Sequence, residues 1–182
     1  MKLDFLVNSK KYFVSLIKKY FLHINLYKSN KFLTKINMKE LKKRKLKLII
    51  FKSKRDVIKK KIEMHGYFKK YKEKLKRFDK KYYFLVLADK RKLLCSVWIY
   101  HGSKFHISEI DIDLNLKKQF LINDGETPKR LRNKGYFSLL MKLAKNKFIR
   151  KNVIVFVQSN NSKSEKGIKK SGFNFVKKIY GF

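Results

Sequence analysis

Residues 130–137, which read RLRNKGYF, place a glycine where an apolar helical pattern begins. The chain has seven glycines and one proline, and Pro128 and Gly135 both fall near this point. A strand-like run ends upstream, so we expect a loop and then a helix that begins at about Lys134. The first amides of a helix have no intrahelical acceptor and lie at the positive end of its dipole, so they can bind a phosphate. The segment therefore predicts an anion site, in which Gly135 admits the ligand and Arg132 and Lys134 add charge. The alternative is that this glycine only forms a turn.

Carboxylates that could act as a general base are concentrated in one short window. A general base accepts a proton from a reacting group, and a carboxylate side chain can serve as one. Five of the thirteen acidic residues lie in this window, namely Glu109, Asp111, Asp113, Asp124 and Glu126. The first three alternate with apolar residues and also fit the solvated face of a strand. Asp124 and Glu126 lie next to the loop that precedes Gly135 and are therefore the better candidates for the base.

The histidines and the cysteine offer fewer chemical roles. His101 and His106 could serve as the base instead, although they flank a turn and also fit surface or packing positions. The four histidines show no metal-ligand spacing, so we predict no metal site. Cys95 is the only cysteine, which excludes a disulfide within the chain. Because it lies in an apolar strand-like run, we expect a buried small side chain and no nucleophile.

The elements that must position these residues follow from apolar periodicity. Strands are predicted at 46–52, 82–88, 93–101, 109–116, 119–124, 152–158 and 173–180, the second and third forming a hairpin. Helices are predicted from Ile58 to Phe78, from about 134 to 148, and over a short stretch that ends near 171. This succession of strands and helices predicts a mixed α/β domain.

The first 45 residues are predicted to be a basic helical extension of a domain at 46–182. Apolar residues at helical spacing with lysines between them predict a helix over 5–27, and the lysine-rich stretch 28–45 reads as a linker. Such a helix could lie on an anionic membrane surface, or it could pack on its own domain. At the beginning of the chain, no stretch of seven consecutive residues is apolar. The apolar stretches are therefore too short for a signal peptide or for a helix that spans a membrane. We therefore expect a cytoplasmic protein, with contact at the inner membrane face left open.

The charge balance predicts attraction to polyanions. Forty-nine basic residues against thirteen acidic ones give a net charge of +36. Nucleic acid, acidic membrane and phosphorylated small molecules all qualify as partners. Forty-two of the basic residues are lysine, whereas the reading of base edges favours arginine, which argues against sequence-specific DNA recognition. A non-catalytic nucleic-acid-binding protein is the alternative function, and a compositional drift towards lysine would also explain the charge.

Two motifs resemble the signatures of the GNAT acyltransferase superfamily. Residues 132–137 are similar to its Arg/Gln-x-x-Gly-x-Gly/Ala pyrophosphate loop. Residues 161–173 are similar to its second signature, an Asn followed three residues later by Ser or Ala and ending in Gly-Phe before the last strand. The resemblance covers roughly residues 46–182. It implies a GNAT-like α/β fold with a mixed, mostly antiparallel central sheet flanked by helices, here with an N-terminal helical extension.

The resemblance also implies a cofactor, acetyl-CoA or another acyl-CoA. The residues implied at its pyrophosphate are Arg132, Asn133, Lys134, Gly135, Tyr136 and Phe137. Asn123, at the end of its strand with Asp124, would pair with the pantetheine arm, and Asn161 and Ser164 would contact the cofactor from the other side. Phe137 departs from the family, since it stands where Gly or Ala is usual, so the pyrophosphate would sit farther out or the loop would be rearranged. Ile168 departs as well, because many members carry there the tyrosine that protonates the leaving thiolate.

Together, the residues and the resemblance predict an acyl-CoA-dependent N-acyltransferase that acts on a small amine. A basic N-terminal extension with a loop of the type Arg-x-Lys-Gly-aromatic resembles subfamilies associated with bacterial surface-polysaccharide synthesis. The preferred acceptor is therefore an amino sugar on a nucleotide or lipid carrier, whose negative charge would suit the basic surface. Oligomeric state is left open.

Overall fold

The computed structural model describes residues 22–30, 32, 35–36, 38–59, 72–90 and 92–181. The strands are β1 (His23–Ser29), β2 (Leu46–Phe51), β3 (Tyr82–Asp89), β4 (Lys92–Tyr100), β5 (Lys104–Ile107), β6 (Ile112–Asn115), β7 (Phe120–Glu126), β8 (Val153–Gln158) and β9 (Phe173–Tyr180). The helices are α1 (Met38–Lys43), α2 (Lys54–Lys59), α3 (Lys72–Leu75), α4 (Tyr136–Lys147) and α5 (Ser162–Lys170), with 3₁₀ turns at Lys76–Lys80, Lys129–Leu131 and Ile149–Lys151. Within the described residues, no helix combines the length and the apolar character needed to cross a membrane.

Seven strands form one central sheet in the order β2-β3-β4-β7-β8-β1-β9. Neighbouring strands run antiparallel except β7 and β8, which are parallel. The predicted hairpin is confirmed as β3 and β4, with Leu85 opposite Val97. The fold class expected from the sequence, a mostly antiparallel sheet flanked by helices, is therefore confirmed.

Both faces of the sheet are covered, because alternate residues of its strands are apolar on both sides. On one face, Leu140 and Ala144 of α4 and Ile168 of α5 pack with Val97 and Val155 in the largest apolar cluster of the described chain. We call this the helix face. Burial of a leucine, isoleucine or valine side chain contributes about 1.5–3 kcal/mol, so these contacts hold the two helices on the sheet.

The opposite face is covered in two parts. We call it the hairpin face, after the hairpin of β5 and β6 that packs on it. Near β3 and β4, Val57 and Phe78 pack on a cluster that contains the fully buried Trp98. Near β8 and β1, the two-stranded sheet of β5 and β6 packs instead, in clusters that contain Ile24, Ile107, Ile110, Leu116, Leu121 and Ile154. The acidic residues of the sequence window are distributed between these two parts.

Strand β1 corrects the prediction of a helix over 5–27. Residues 1–21 lie outside the described residues, but 23–27 belong to β1, which pairs with β8 on one side and with β9 on the other. Ile24 is buried against the hairpin face and Tyr27 against the helix face, which is the period of two of an interior strand. Ile24 happened to continue the spacing of the upstream apolar residues, and this led to the error. The boundary near residue 45 stays a prediction, although β1 shares its sheet with strands from 46–182.

Two further predictions hold only in part. Of the strand predicted at 109–116, residues 112–115 form β6, whereas 109–111 form a turn in which Asp111 has a φ of 55°. Of the long helix predicted from Ile58 to Phe78, the described parts are the end of α2, then α3 and a 3₁₀ turn, and 60–71 lie outside the described residues. Cys95 is buried as expected, and burial raises the pKa of its thiol to about 12, so it is no nucleophile near neutral pH.

Candidate functional site

The parallel strands β7 and β8 separate and open a cleft in the sheet. Their register runs from Phe120 opposite Val153 to Ile122 opposite Val155 and ends there. Beyond this point lies a cleft of about 200 Å³. Its walls are formed by Val97, Ile122, Asn123, Asp124, Gly125, Phe137, Val155, Phe156, Val157, Gln158, Asn161, Ser164 and Ile168.

A bulge in β7 explains why the two strands part. Ser96 of β4 is opposite Glu126 and Trp98 is opposite Asn123, so two residues of β7, Asp124 and Gly125, stand against one residue of β4. Asp124 has a φ of 45°, which lies in the left-handed region that residues other than glycine seldom adopt. A bulge bends its strand and strengthens the local twist. The bulge begins at Asp124, two residues beyond Ile122, which is the last residue of β7 that pairs with β8.

Gly135 is the N-cap of α4, which begins at Tyr136 and so two residues later than predicted. Its φ of 77° and ψ of 0° are left-handed, which is the local reason for a glycine here. The residue is exposed, and a Cβ placed on it would meet nothing within 4 Å. Crowding in the folded chain therefore does not require glycine, whereas the backbone conformation favours it.

The first amides of α4 have no acceptor within the helix. The bond from the Leu139 N–H to the Gly135 carbonyl is 3.0 Å long and closes the first turn, so the amides of Tyr136 and Phe137 precede it. Within the described residues, neither of these two amides has a recorded acceptor. Binding of an anion at the tip of α4 stays a prediction.

The nine residues predicted to hold the cofactor divide into two groups. Asn123, Phe137, Asn161 and Ser164 line the cleft. Arg132, Asn133, Lys134 and Gly135 are exposed in the loop before α4, and Tyr136 is half-buried against the apolar cluster. The Nε of Arg132 donates to the Thr127 carbonyl at 3.2 Å, which ties the loop to the end of β7.

Asn161 and Ser164 also have a local structural role. Asn161 is the N-cap of α5, and its side-chain oxygen accepts from the Ser164 amide at 3.1 Å. This bond satisfies one of the orphan amides of the helix. The spacing of Asn and Ser in the second motif therefore caps α5, and both residues also line the cleft.

The side chain of Phe137 lies inside the cleft between two glycines. A Cβ on Gly125 would stand 2.7 Å from Cε2 of the ring, and a Cβ on Gly167 would stand 2.8 Å from Cδ1. Both distances are too short for real atoms, so glycine on β7 and glycine on α5 make room for the ring. Neither Gly125 nor Gly167 was predicted from the sequence to line or shape the site. Phe137 itself could have indicated them. It stands at a motif position that usually holds Gly or Ala, so its larger ring needs small residues on the elements that face it.

Asp124 and Glu126, which we call the acid pair, stand together at the bulge. Lys74 Nζ lies 2.9 Å from Asp124 Oδ2 and 3.7 Å from Glu126 Oε2. Arg77 Nη1 donates to the same Asp124 oxygen at 2.8 Å. The two carboxylates thus face two cations, so the local charge is balanced. Neither cation was predicted from the sequence to lie at the site. Their spacing of three residues within the predicted helix would have placed them on one side of it.

Aromatic rings support this cluster on the hairpin face. The Arg77 guanidinium lies 5.6 Å from the centroid of the Tyr82 ring and 5.4 Å from that of Trp98. Burial raises the pKa of the Tyr82 hydroxyl, although its hydrogen bond with Asn123 and the charge of Arg77 oppose the shift. The Oδ1 atom of Asn123 is buried, and within the described chain it has no recorded hydrogen-bond partner. An acceptor atom therefore remains to be satisfied beside the cleft.

The other acidic residues of the window lie elsewhere. Asp113 pairs with Lys104 at 2.8 Å and with His106 Nδ1 at 3.2 Å on β5 and β6, and its hydrogen bond with Lys104 lowers its pKa. The structure thus divides the window into this group and the acid pair, because a turn and a strand separate them. His101 stacks on Tyr83 with ring centroids 4.4 Å apart, in the packing role considered for it. Among the described residues, no three His, Cys, Asp or Glu side chains converge on a metal position.

Comparison with known proteins shows the fold. No family model matches the chain, and neither does any curated protein. A GNAT-family acetyltransferase from Colwellia psychrerythraea aligns at 15% identity with a TM-score of 0.51, over 86% of this chain and 54% of that one. A GNAT-family protein from Novosphingobium aromaticivorans aligns at 7% identity with a TM-score of 0.55, over 86% and 61%.

A third structure comes from an uncultured soil metagenomic sample. It is an aminoglycoside acetyltransferase in complex with sisomicin, 13% identical with a TM-score of 0.52, and the alignment covers 78% of this chain and 96% of that one. The chain spans 54% to 61% of the length of the first structures that it matches. These likenesses show that the chain has the GNAT fold, as its two motifs predicted.

Proposed function

We propose that this protein is an acyl-CoA-dependent N-acyltransferase that moves an acetyl or short acyl group to a small amine. One observation carries the proposal: the same cleft is lined by Phe137, from the first turn of α4, and by Asp124 of the acid pair. The proposed seat for phosphate and the proposed carboxylate base would thus border one opening. This is the arrangement that acyl transfer from a phosphorylated carrier requires.

The residues of the chain fit the cofactor at its phosphate end. The amides from Asn133 to Phe137 would hold the pyrophosphate, and Arg132 and Lys134 would add charge beside it. The separated part of β7 at Asn123 would pair with the pantetheine arm, opposite Asn161 and Ser164. When bound, acyl-CoA supplies an activated acyl group as a thioester. The position of the Phe137 ring is the one feature of the cleft that opposes this fit.

The acid pair would prepare the acceptor. An amine enters as an ammonium ion, and Asp124 and Glu126 attract it and take a proton from it, directly or through water. Backbone amides of the separated strand would stabilise the charge that develops on the carbonyl oxygen. Ile168 is buried and apolar and supplies no proton, so the leaving thiolate takes its proton from another group or from water.

Glu126→Gln should lower kcat by about 10²–10³-fold, because it removes a proton acceptor while keeping the shape of the side chain. Thiol release at saturating acetyl-CoA measures the loss, and calorimetric binding of acetyl-CoA should stay unchanged. Asp113→Asn is the matched control, since it neutralises an acid of the same window on β6. Full activity in both Glu126→Gln and Asp124→Asn would exclude the acid pair as the base.

Phe137→Ala should make acetyl-CoA bind about tenfold more tightly, because the ring must leave its place between Gly125 and Gly167 before the cleft can accept the pantetheine arm. Displacing a half-buried ring costs about 1–2 kcal/mol, which corresponds to that factor. Isothermal titration measures it. Phe148→Ala is the control, since Phe148 is also half-buried against the same apolar cluster and does not line the cleft. Weaker binding in Phe137→Ala would mean that the ring packs against the cofactor.

For the acceptor we propose an amino sugar, carried on a nucleotide or lipid as in polysaccharide synthesis at the cytoplasmic membrane face. Two observations support this class: the net charge of +36, and the sisomicin complex of an aminoglycoside acetyltransferase with the same fold. A screen for thiol release from acetyl-CoA should include amino-sugar nucleotides, sisomicin and simple alkyl amines. Release with alkyl amines alone would reject the amino sugar and keep the acyltransferase.

A further inference from the structure

An amine of the chain itself already occupies the acid pair. Lys74 Nζ is 2.9 Å from Asp124 and 3.7 Å from Glu126, and its side chain is only 18% exposed. Asp124 in turn lines the cleft. The ammonium of Lys74 therefore stands where the two carboxylates would hold the amine of an acceptor.

The other ion-paired lysines of the described chain differ in both respects. Their recorded partners are Asp79, Glu73, Asp113 and Glu165, and none of these acids lines the cleft. Their side chains are between 46% and 69% exposed. Among these ion-paired lysines, Lys74 therefore has the least exposed side chain, and its partner Asp124 is the one that lines the cleft.

We propose that Lys74 is a self-acylation site, an inference that rests on the function proposed above. The acid pair holds Lys74 by the same contacts that it would offer to a substrate amine. Holding the two reactants in one geometry replaces an encounter in solution with a step inside one molecule. Lys74 should therefore be acylated at least ~10²-fold faster than an exposed lysine.

The step balances with acyl-CoA as the co-reactant. The Lys74 ammonium gives one proton to a carboxylate of the acid pair, and its nitrogen lone pair forms a bond to the thioester carbonyl carbon. The carbon–sulfur bond breaks, the electron pair leaves with sulfur, and the nitrogen loses its second proton, which the thiolate takes up directly or through water. The proton on the carboxylate passes to solvent. The products are a neutral amide at Lys74 and free CoA thiol. The amide carries no charge, so the ion pairs with Asp124 and Glu126 are lost.

Incubation of the full chain with acetyl-CoA tests the inference. Intact mass should show the gain of one acetyl group per chain, and peptide mapping should place it on Lys74. The rate should not change with protein concentration, because the reaction occurs within one molecule. Lys74→Arg should lose this label, whereas Lys76→Arg, which alters an exposed lysine on the adjoining turn, should keep it. Circular dichroism confirms that both variants are folded.

Acetyl-CoA binding, measured on the same samples, separates this inference from the proposed function. Saturable binding without modification of Lys74 overturns the self-acylation site and leaves the acyltransferase. Label spread over exposed lysines at equal rates in the native chain and in Gly135→Glu is chemical acetylation, and it also overturns the site. Absence of binding overturns the proposed function and the inference with it.

Discussion

Gly135→Glu should abolish saturable binding of acetyl-CoA, with Kd raised at least ~10²-fold, or about 2.7 kcal/mol. Two effects add. A side chain at a φ of 77° costs about 1–2 kcal/mol, so the cap of α4 is strained. The new carboxylate also stands at the helix end where a diphosphate is proposed to bind, and like charges repel there. Isothermal titration with acetyl-CoA measures the effect.

Two matched variants separate strain from charge at this position. Gly135→Asn is neutral and adopts the left-handed region more readily than other side chains, so its Kd should stay within about tenfold of the parent. Gly135→Ala adds strain without charge and should fall between the two. Parent-like binding by Gly135→Glu would mean that the phosphates of CoA do not sit on α4, and the proposed function would lose its main support.

Tyr27→Ala should lower the free energy of unfolding by about 4 kcal/mol. Tyr27 is fully buried in the middle of β1, and its hydroxyl donates to Glu165 Oε1 at 2.5 Å. Alanine would leave a cavity between the sheet and α5 and would remove that hydrogen bond. Burial raises the pKa of the Tyr27 hydroxyl, and the contact with Glu165 adds to the shift, so the group stays protonated in the folded chain. Urea denaturation followed by circular dichroism measures the loss.

Two control variants define what this loss means. Tyr27→Phe keeps the ring and removes the hydroxyl, so it should cost about 1–2 kcal/mol. Tyr180→Ala alters a tyrosine of β9 that is half exposed, and it should cost less than about 1 kcal/mol. If Tyr27→Ala cost no more than Tyr180→Ala, β1 would not be an interior strand of the sheet.

Local pattern was sufficient to predict the elements around the cleft. The apolar runs of β3, β4 and β8 are compact, and α4 has apolar residues at helical spacing, so each element carries its own signal. The loop at Gly135 could be predicted for the same reason. In each of these cases the structure depends on residues that are neighbours in sequence, so a local pattern is enough to predict it.

Contacts between distant segments account for what was missed. Strand β1 contains Asn25 and Lys28, and it reads as an interior strand only because β8 and β9 flank it. Strand β5 has four residues, too few for a periodic signal. Lys74 reaches Asp124 from an element far away in sequence, and no local pattern predicts such a pair. The place of the Phe137 ring likewise depends on two glycines from separate elements.

The position of β1 also bears on how the chain is made. Ribosomes release a protein from its N-terminal end, so β1 emerges long before the two strands that flank it. Until β9 has left the ribosome, Ile24 and Tyr27 lack part of their final surroundings, and they are exposed to other chains and to chaperones. Pairing between such distant segments is slow because a long loop must close first. Completion of the sheet, and of the site that it carries, therefore waits until β9 has emerged and paired with β1.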